Sequence, residues 1–244
     1  MDHQKKRVLI TGVGRAEGIG FGLAQAMHQR GYEVIISARN QEKAEARAKE
    51  ISTEASPRVE ALDITDEKSV ADLAQSLGDR FGRLDILINN AGAPLDFGMH
   101  PLETDFQVTK DTLDINLFGT WRVIRHFYPL LKASTAPRIV NISSGAGSFG
   151  DPVFGLGVHP AVVTSYGLSK LALNGLTVKM ARQFKADGIL INAVCPGFVA
   201  TAPGMREMGA RPVSEALEGI IWAAELPEDG PNGGFFRDKL PLSW

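Results

Sequence analysis

Short β-branched runs alternate with longer stretches of helical period along most of this chain, and no other feature limits its possible folds as strongly. Residues 7–11, 33–37, 58–62, 84–89, 138–143 and 189–194 read as strands. After the first of them, Ile19, Leu23, Ala26 and Met27 fall on one helical face; after the third, Val70, Leu73, Ala74 and Leu77 do the same. Alternation of this kind implies a parallel sheet with helices over both faces. Near-continuous apolar strands such as Val8-Leu9-Ile10 and Ile86-Leu87-Ile88 suit its buried centre. The expected fold is therefore α/β: one Rossmann-type domain over residues 1–244, built on a doubly wound parallel sheet flanked by helices on both faces. No internal repeat, low-complexity tract or linker divides it. Glycine- and proline-rich stretches at 144–160 and 196–212 read as long loops, which in a compact domain usually carry function.

The first strand runs into Thr11-Gly12-Val13-Gly14-Arg15-Ala16-Glu17-Gly18-Ile19-Gly20. Glycines at such a turn let the backbone approach a pyrophosphate, and the following helix offers it free N–H groups and a partial positive charge. By itself a glycine cluster marks only a tight turn; between the first strand and helix of a βαβ unit it points to a dinucleotide. Gly12, Gly14, Arg15, Gly18 and Ile19 are thus candidate contacts. The second strand ends in Ser37-Ala38-Arg39-Asn40. An NAD site usually places an acid there for the ribose 2′-hydroxyl, and an NADP site an arginine for the 2′-phosphate. Arg39, with Arg15 approaching from the glycine loop, favours NADP(H).

Tyr166 and Lys170, in Ser165-Tyr166-Gly167-Leu168-Ser169-Lys170, are four apart, so a helix puts them on one face. A free phenol titrates near ~10, and a cation within about 4–6 Å is expected to lower that value and make tyrosine a better proton donor. The bulk numbers agree with a soluble protein: 244 residues, 44% hydrophobic, 22% charged, net charge -2. That charge gives no reason to expect nucleic acid or an anionic membrane as partner. Cys195, the one cysteine, excludes an intramolecular disulfide and reads as a buried, inert thiol. The start of the chain is polar, and no apolar run reaches the ~20 residues of a membrane span. A cytoplasmic location is expected. The histidines are scattered and no metal-ligand spacing is present, so no metal is expected.

Taken in order, these residues resemble the compact form of the short-chain dehydrogenase/reductase family, and the match runs over nearly the whole chain. Asp63 and Ile64 follow the third strand, where the family keeps an acid near the adenine. Asn89-Asn90-Ala91-Gly92 is similar to the family's NNAG signature, which implies that Asn90, Ala91 and Gly92 border the cofactor. Asn116 matches its helix asparagine, Ser144 its catalytic serine, and Tyr166 with Lys170 its YxxxK pair. Pro196-Gly197-Phe198-Val199-Ala200-Thr201 resembles the PGxxxT segment at the nicotinamide, implying Pro196, Gly197, Val199 and Thr201 as contacts. The ending Gly233-Gly234-Phe235-Phe236-Arg237-Asp238 is similar to that of bacterial carbonyl reductases within the family.

The resemblance implies reduction of a ketone or aldehyde by NADPH in a homodimer or homotetramer, with a small-molecule carbonyl as substrate. Tyr166 would give the proton and Ser144 would hydrogen-bond the carbonyl oxygen. Lys170 would tune the phenol and hold the nicotinamide ribose, and Asn116 would anchor a water linking Lys170 to solvent. An NADP-linked alcohol dehydrogenase or a ketoreductase for one metabolite is the alternative within enzymes; a dinucleotide sensor without turnover is the alternative outside them. Two departures from the family stand out. Five residues (13–17) separate Gly12 from Gly18, two more than usual. An apolar insertion at 150–163, whose glycines and prolines favour a shaped loop, separates Ser144 from Tyr166. Phe154 and His159 in that insertion, with Phe198, are candidate substrate contacts.

Overall fold

The computed structural model describes residues 5–52, 55–96, 98–158 and 163–244. Its strands are β1 (Arg7–Thr11), β2 (Glu33–Ala38), β3 (Arg58–Ala61), β4 (Ile86–Asn89), β5 (Arg138–Ile142), β6 (Leu190–Val194), β7 (Phe235–Arg237) and β8 (Leu240–Pro241). They form one sheet in the order β3-β2-β1-β4-β5-β6-β7-β8, parallel as far as β7, after which β8 folds back antiparallel. The helices are α1 (Ile19–Gln29), α2 (Gln41–Ile51), α3 (Glu67–Phe81), α4 (Phe106–Leu113), α5 (Thr120–Lys132), α6 (Thr164–Phe184) and α7 (Val213–Ala224).

Because strand side chains alternate, the central strands serve two cores at once. Val8 and Ile10 of β1 pack with Leu23 and Met27 of α1 and Ile220 of α7. Leu9 points the other way, among Val70 and Leu73 of α3 and Ile124 and Phe127 of α5. Every residue of β1 is buried, so truncating Leu9 to alanine would cost about 2–5 kcal/mol. The apolar faces read from the sequence of α1 and α3 are the ones that meet the sheet: Leu23 and Met27 are buried with Ile19 and Ala26 half-buried against the same core, and Val70, Leu73, Ala74 and Leu77 are buried.

Three features escaped the sequence. Strands β7 and β8 have three and two residues, too few to show a period. Their connecting residues, Asp238 and Lys239, both adopt left-handed backbone (φ 52° and 69°). A π-helical turn, Asp114–Gly119, joins α4 to α5 and holds Asn116 fully buried in its widened loop. The loop at 196–212 is pinched at its base, where Val199 bridges Arg211 and their neighbours exchange hydrogen bonds (Arg211 N to Phe198 O, 2.9 Å; Ala200 N to Arg211 O, 2.9 Å). In the described part of the insertion the chain forms turns, and His159 lies outside the described residues. Among the described residues, no helix is long and apolar enough to cross a membrane.

Candidate active site

Strand order reverses beside β1, so the segments leaving β1 and β4 diverge and open a crevice at the C-terminal edge of the sheet. Thr11 and Asn90 stitch its floor: the Thr11 hydroxyl accepts the N–H of Asn90 and Ala91 (3.1 and 3.0 Å), and the Asn90 amide donates to Thr11 O (2.8 Å). The crevice holds about 410 Å³ and is lined by Gly12, Gly14, Arg15, Gly18, Ile19, Arg39, Asp63, Ile64, Asn90, Ala91, Gly92 and Thr201. These are most of the expected cofactor residues. Pro196, Gly197 and Val199 are not in its wall; Val199 is buried against Arg211, whose guanidinium donates to Pro196 O (Nε, 2.8 Å).

The longer glycine loop is absorbed without leaving the crevice. Val13 is buried and donates to Ser37 O (2.9 Å), and Gly18 N closes a turn onto Arg15 O (3.2 Å). The additional length swings Ala16 and Glu17 outward, away from this crevice, and Gly14, Arg15 and Gly18 stay in its wall. Nine further wall residues, polar Ser37, Asn40 and Lys43 among them, are not among the expected contacts. Lys43 carried a signal: it is a second cation in the first turn of α2, four residues after Arg39. Burial raises the Asp63 carboxyl, but hydrogen bonds from Thr65 and the charges of Arg39 and Arg122 outweigh it and hold Asp63 below the usual carboxylate range.

Catalytic candidates gather beyond the Gly92 end of this crevice, where a Cβ on Gly92 would sit 3.5 Å from Lys170 Nζ. Ser144 ends the segment leaving β5 and begins a tight turn, Gly145–Gly147. That turn lies against α6 so closely that a Cβ on Gly147 would sit 2.5 Å from the backbone of Lys170 and Leu171. The contact brings Ser144 beside Tyr166, near enough for its hydroxyl to act on the phenol. Lys170 is buried, donates to Ile142 O (2.8 Å), and lies 5.5 Å from the centre of the Tyr166 ring.

The electrostatics differ from expectation. Burial pushes the Tyr166 phenol up to about 12, against the lowering effect of the Ser144 hydroxyl. Burial likewise pushes Lys170 down to about 8. Desolvation penalises both charged forms, and here it outweighs the proximity of the ammonium to the ring. Asn116, buried in the π-helical turn, faces the segment after β4. Its amide accepts from Ala93 N (2.9 Å) and donates to Ala93 O and the Ser169 hydroxyl (both 3.0 Å), while Ser169 donates to Tyr166 O (2.7 Å). Asn116 thus braces α6 against the segment after β4, and its Oδ1 and Lys170 Nζ both lie close to Gly92, 3.0 and 3.5 Å from where a Cβ there would be. A second brace was unread. Asp96, fully buried, accepts the N–H of Ser165 and of Tyr166 (3.3 Å for the latter) and so caps α6, which has no cap of its own. Of the substrate candidates, Phe154 and Phe198 come together with ring centres 6.4 Å apart.

A dinucleotide fits the donors of the crevice. Helix α1 enters it with no side-chain cap and no acid in its first turn, leaving its N–H groups and dipole to an anion. Arg15, Arg39 and Lys43 supply positive charge at the other end, enough for a second phosphate. Among the described residues, no group of three His, Cys, Asp or Glu side chains is placed to hold a metal ion.

A doubly wound sheet with this crevice at its switch point and a Ser–Tyr–Lys cluster beyond it defines a dinucleotide-binding α/β protein. More narrowly, the chain belongs to the short chain dehydrogenase family, whose model matches residues 6–210. It is 33% identical to the carbonyl reductase (NADPH) 3 of Rattus norvegicus, over 97% of each chain. It is 33% identical to an NADPH-dependent pterin aldehyde reductase of Arabidopsis thaliana, over 80% of this chain and 76% of that one. Among solved structures, an NADPH-bound carbonyl reductase from chicken fatty liver superposes with a TM-score of 0.86 at 26% identity, covering 99% of this chain and 100% of that one.

Proposed function

We propose that this chain is an NADPH-dependent carbonyl reductase, converting a ketone or aldehyde to an alcohol within one domain over residues 1–244. The observation that carries the reading is the juxtaposition of Ser144, Tyr166 and Lys170 at one end of a crevice whose other end presents Arg15, Arg39 and Lys43. The named activities of its relatives support it. NADPH, when bound, supplies the hydride. Gly14, Gly18 and the start of α1 would hold its pyrophosphate, Arg39 and Lys43 its 2′-phosphate, and Gly92, Thr201 and Lys170 its nicotinamide end.

Tyr166 donates the proton to the carbonyl oxygen. A phenol held at about 12 is fully protonated at neutral pH, and an alkoxide is basic enough to take its proton. Ser144 donates a hydrogen bond to the same oxygen and shares the charge that grows on it. Lys170, buried and still charged below about 8, opposes that negative charge from its place over the ring, 5.5 Å from the ring centre. Asn116 and Asp96 keep α6 in register with the loops it faces. Exposed Phe106, Phe118 and Trp121, with Leu168 and Val178 of α6, support assembly as a homodimer or homotetramer. The lone buried thiol supports a cytoplasmic location.

The test is NADPH oxidation across ketones, keto esters, aldehydes and quinones, with NADH as control. Turnover of carbonyls with NADPH preferred is expected. No oxidation with any of them would refute the reading.

A further inference from the structure

A second polar construction lies on the substrate side. Asp151, at the start of the insertion, is 1% exposed and forms an ion pair with Arg237 of β7. Its other oxygen accepts the N–H of Val153 and Phe154 (2.9 and 3.1 Å), so the pair sets the turn that carries Phe154. The Arg237 guanidinium also lies 5.7 Å from the Phe154 ring and donates to Cys195 Sγ from Nε and Nη2 (3.4 and 3.2 Å). The same sulfur accepts the N–H of Gly145 and Gly197 (3.1 and 3.3 Å). Gly145 has no room for a side chain, since its Cβ would run into Asp151 Oδ2 and Arg237 Nη2. One guanidinium thus touches the insertion, the residue after Ser144 and the base of the PGxxxT segment.

Stability alone explains this arrangement poorly. Desolvating an ion pair costs much of what the attraction returns, so a buried pair contributes little net stability. What a planar, forked guanidinium supplies is direction. Here it aims Phe154 at Phe198, and Leu156 of the same loop reaches the helix beside Tyr166, 3.3 Å from where a Gly167 Cβ would be.

We propose that Arg237 is a specificity-determining positioning residue, which, from the far strand of the sheet, holds Phe154 and Phe198 as an apolar aromatic wall selecting ketones with a flat aryl substituent over small aliphatic ones. The inference rests on the carbonyl-reductase reading above.

Its test is a double-mutant cycle. The kcat and KM for an aryl ketone and a small aliphatic ketone are measured in the parent, Phe154→Ala, Arg237→Met and the double variant. Each single variant should lower the aryl-to-aliphatic ratio of kcat/KM by roughly 10–200-fold, chiefly through KM for the aryl ketone, with the NADPH KM unchanged. The double variant should fall no further than Phe154→Ala alone, because Arg237 acts through that ring. Equal slowing of both ketones, a Phe154→Ala variant with the parent's ratio, or independent losses in the double variant would each overturn the proposal. Should Arg237→Met fail to fold, Asp151→Asn, nearly isosteric, is carried through the same cycle. A parent that reduces neither ketone but reduces other carbonyls overturns the proposal alone; a parent that oxidises NADPH with no carbonyl overturns the underlying function as well.

Discussion

At the nucleotide end, charges stand on turns that leave the strand tips directly: Arg15 after β1, Arg39 and Lys43 after β2, all three exposed. At the end proposed for the carbonyl, the groups are drawn from segments remote in sequence and are less exposed: Ser144 after β5, Tyr166 on α6 and Phe198 after β6 are half-buried, and Lys170 on α6 is buried. The contrast is energetic as well as geometric. Exposed cations act through a solvent-screened field, so each contributes modestly and can be lost singly. Tyr166 and Lys170 sit where desolvation moves both toward their neutral forms, and a change there is felt in full.

The sharpest way to break this division is Tyr166→Phe. Turnover should fall by roughly 10²–10⁴-fold while NADPH still binds as in the parent, since only the proton donor goes. Fluorescence titration with NADPH, beside steady-state rates, checks both halves; weakened nucleotide binding would mean the two ends are not separable. Arg39→Ala is the converse. Loss of a charge-assisted contact worth about 1.5–3 kcal/mol should raise the KM for NADPH about ten-fold or more and narrow the gap to NADH, leaving kcat intact. An unchanged preference for NADPH would shift the reading to Lys43 and Arg15.

A pH profile sharpens the comparison further. Lys170 is charged below about 8 and neutral above it, while Tyr166 keeps its proton up to about 12. Reductive kcat/KM should therefore hold near pH 7 and decline as pH rises through about 8, by at most about ten-fold per unit. Arg39→Ala should leave that inflection in place, because Arg39 is at the other end. Asp96→Ala is the mildest change: removal of the α6 cap should cost about 0.5–2 kcal/mol, a few degrees in Tm, with Asp96→Asn recovering part of it. Its signature in rates is a uniform drop in kcat for all carbonyls with the NADPH KM unmoved.

The same division separates what the sequence disclosed from what it hid. The six longer strands follow from short β-branched, near-continuous apolar runs, because a sheet covered on both faces buries every residue of its central strands, and the faces of α1 and α3 follow from burial that repeats every third or fourth residue. The glycine loop and Arg39 sit next to the strands that place them, so they are readable without tertiary contacts. Asp96 and Arg237 are not. One caps a helix from 69 residues away, and the other pairs across 86, and nothing near either in sequence announces its partner. The pairing of Tyr166 with Lys170 was legible as a spacing but not as an electrostatic effect, since the sequence gives their separation and not the depth at which they lie.

The shortness of β8 matters beyond the active site. A sheet's outer strands offer unpaired N–H and C=O groups that can template another chain. Here the last strand has two residues, one of them Pro241, which has no N–H to give. At the opposite margin, β3 has four residues, and its Arg58 and Glu60 are tied into ion pairs with Glu33 and Arg80. Neither margin presents the long, flat, apolar edge on which strands accumulate. The core strands, among the most β-prone segments of the chain, are thereby kept from seeding cross-β growth while the protein stays folded.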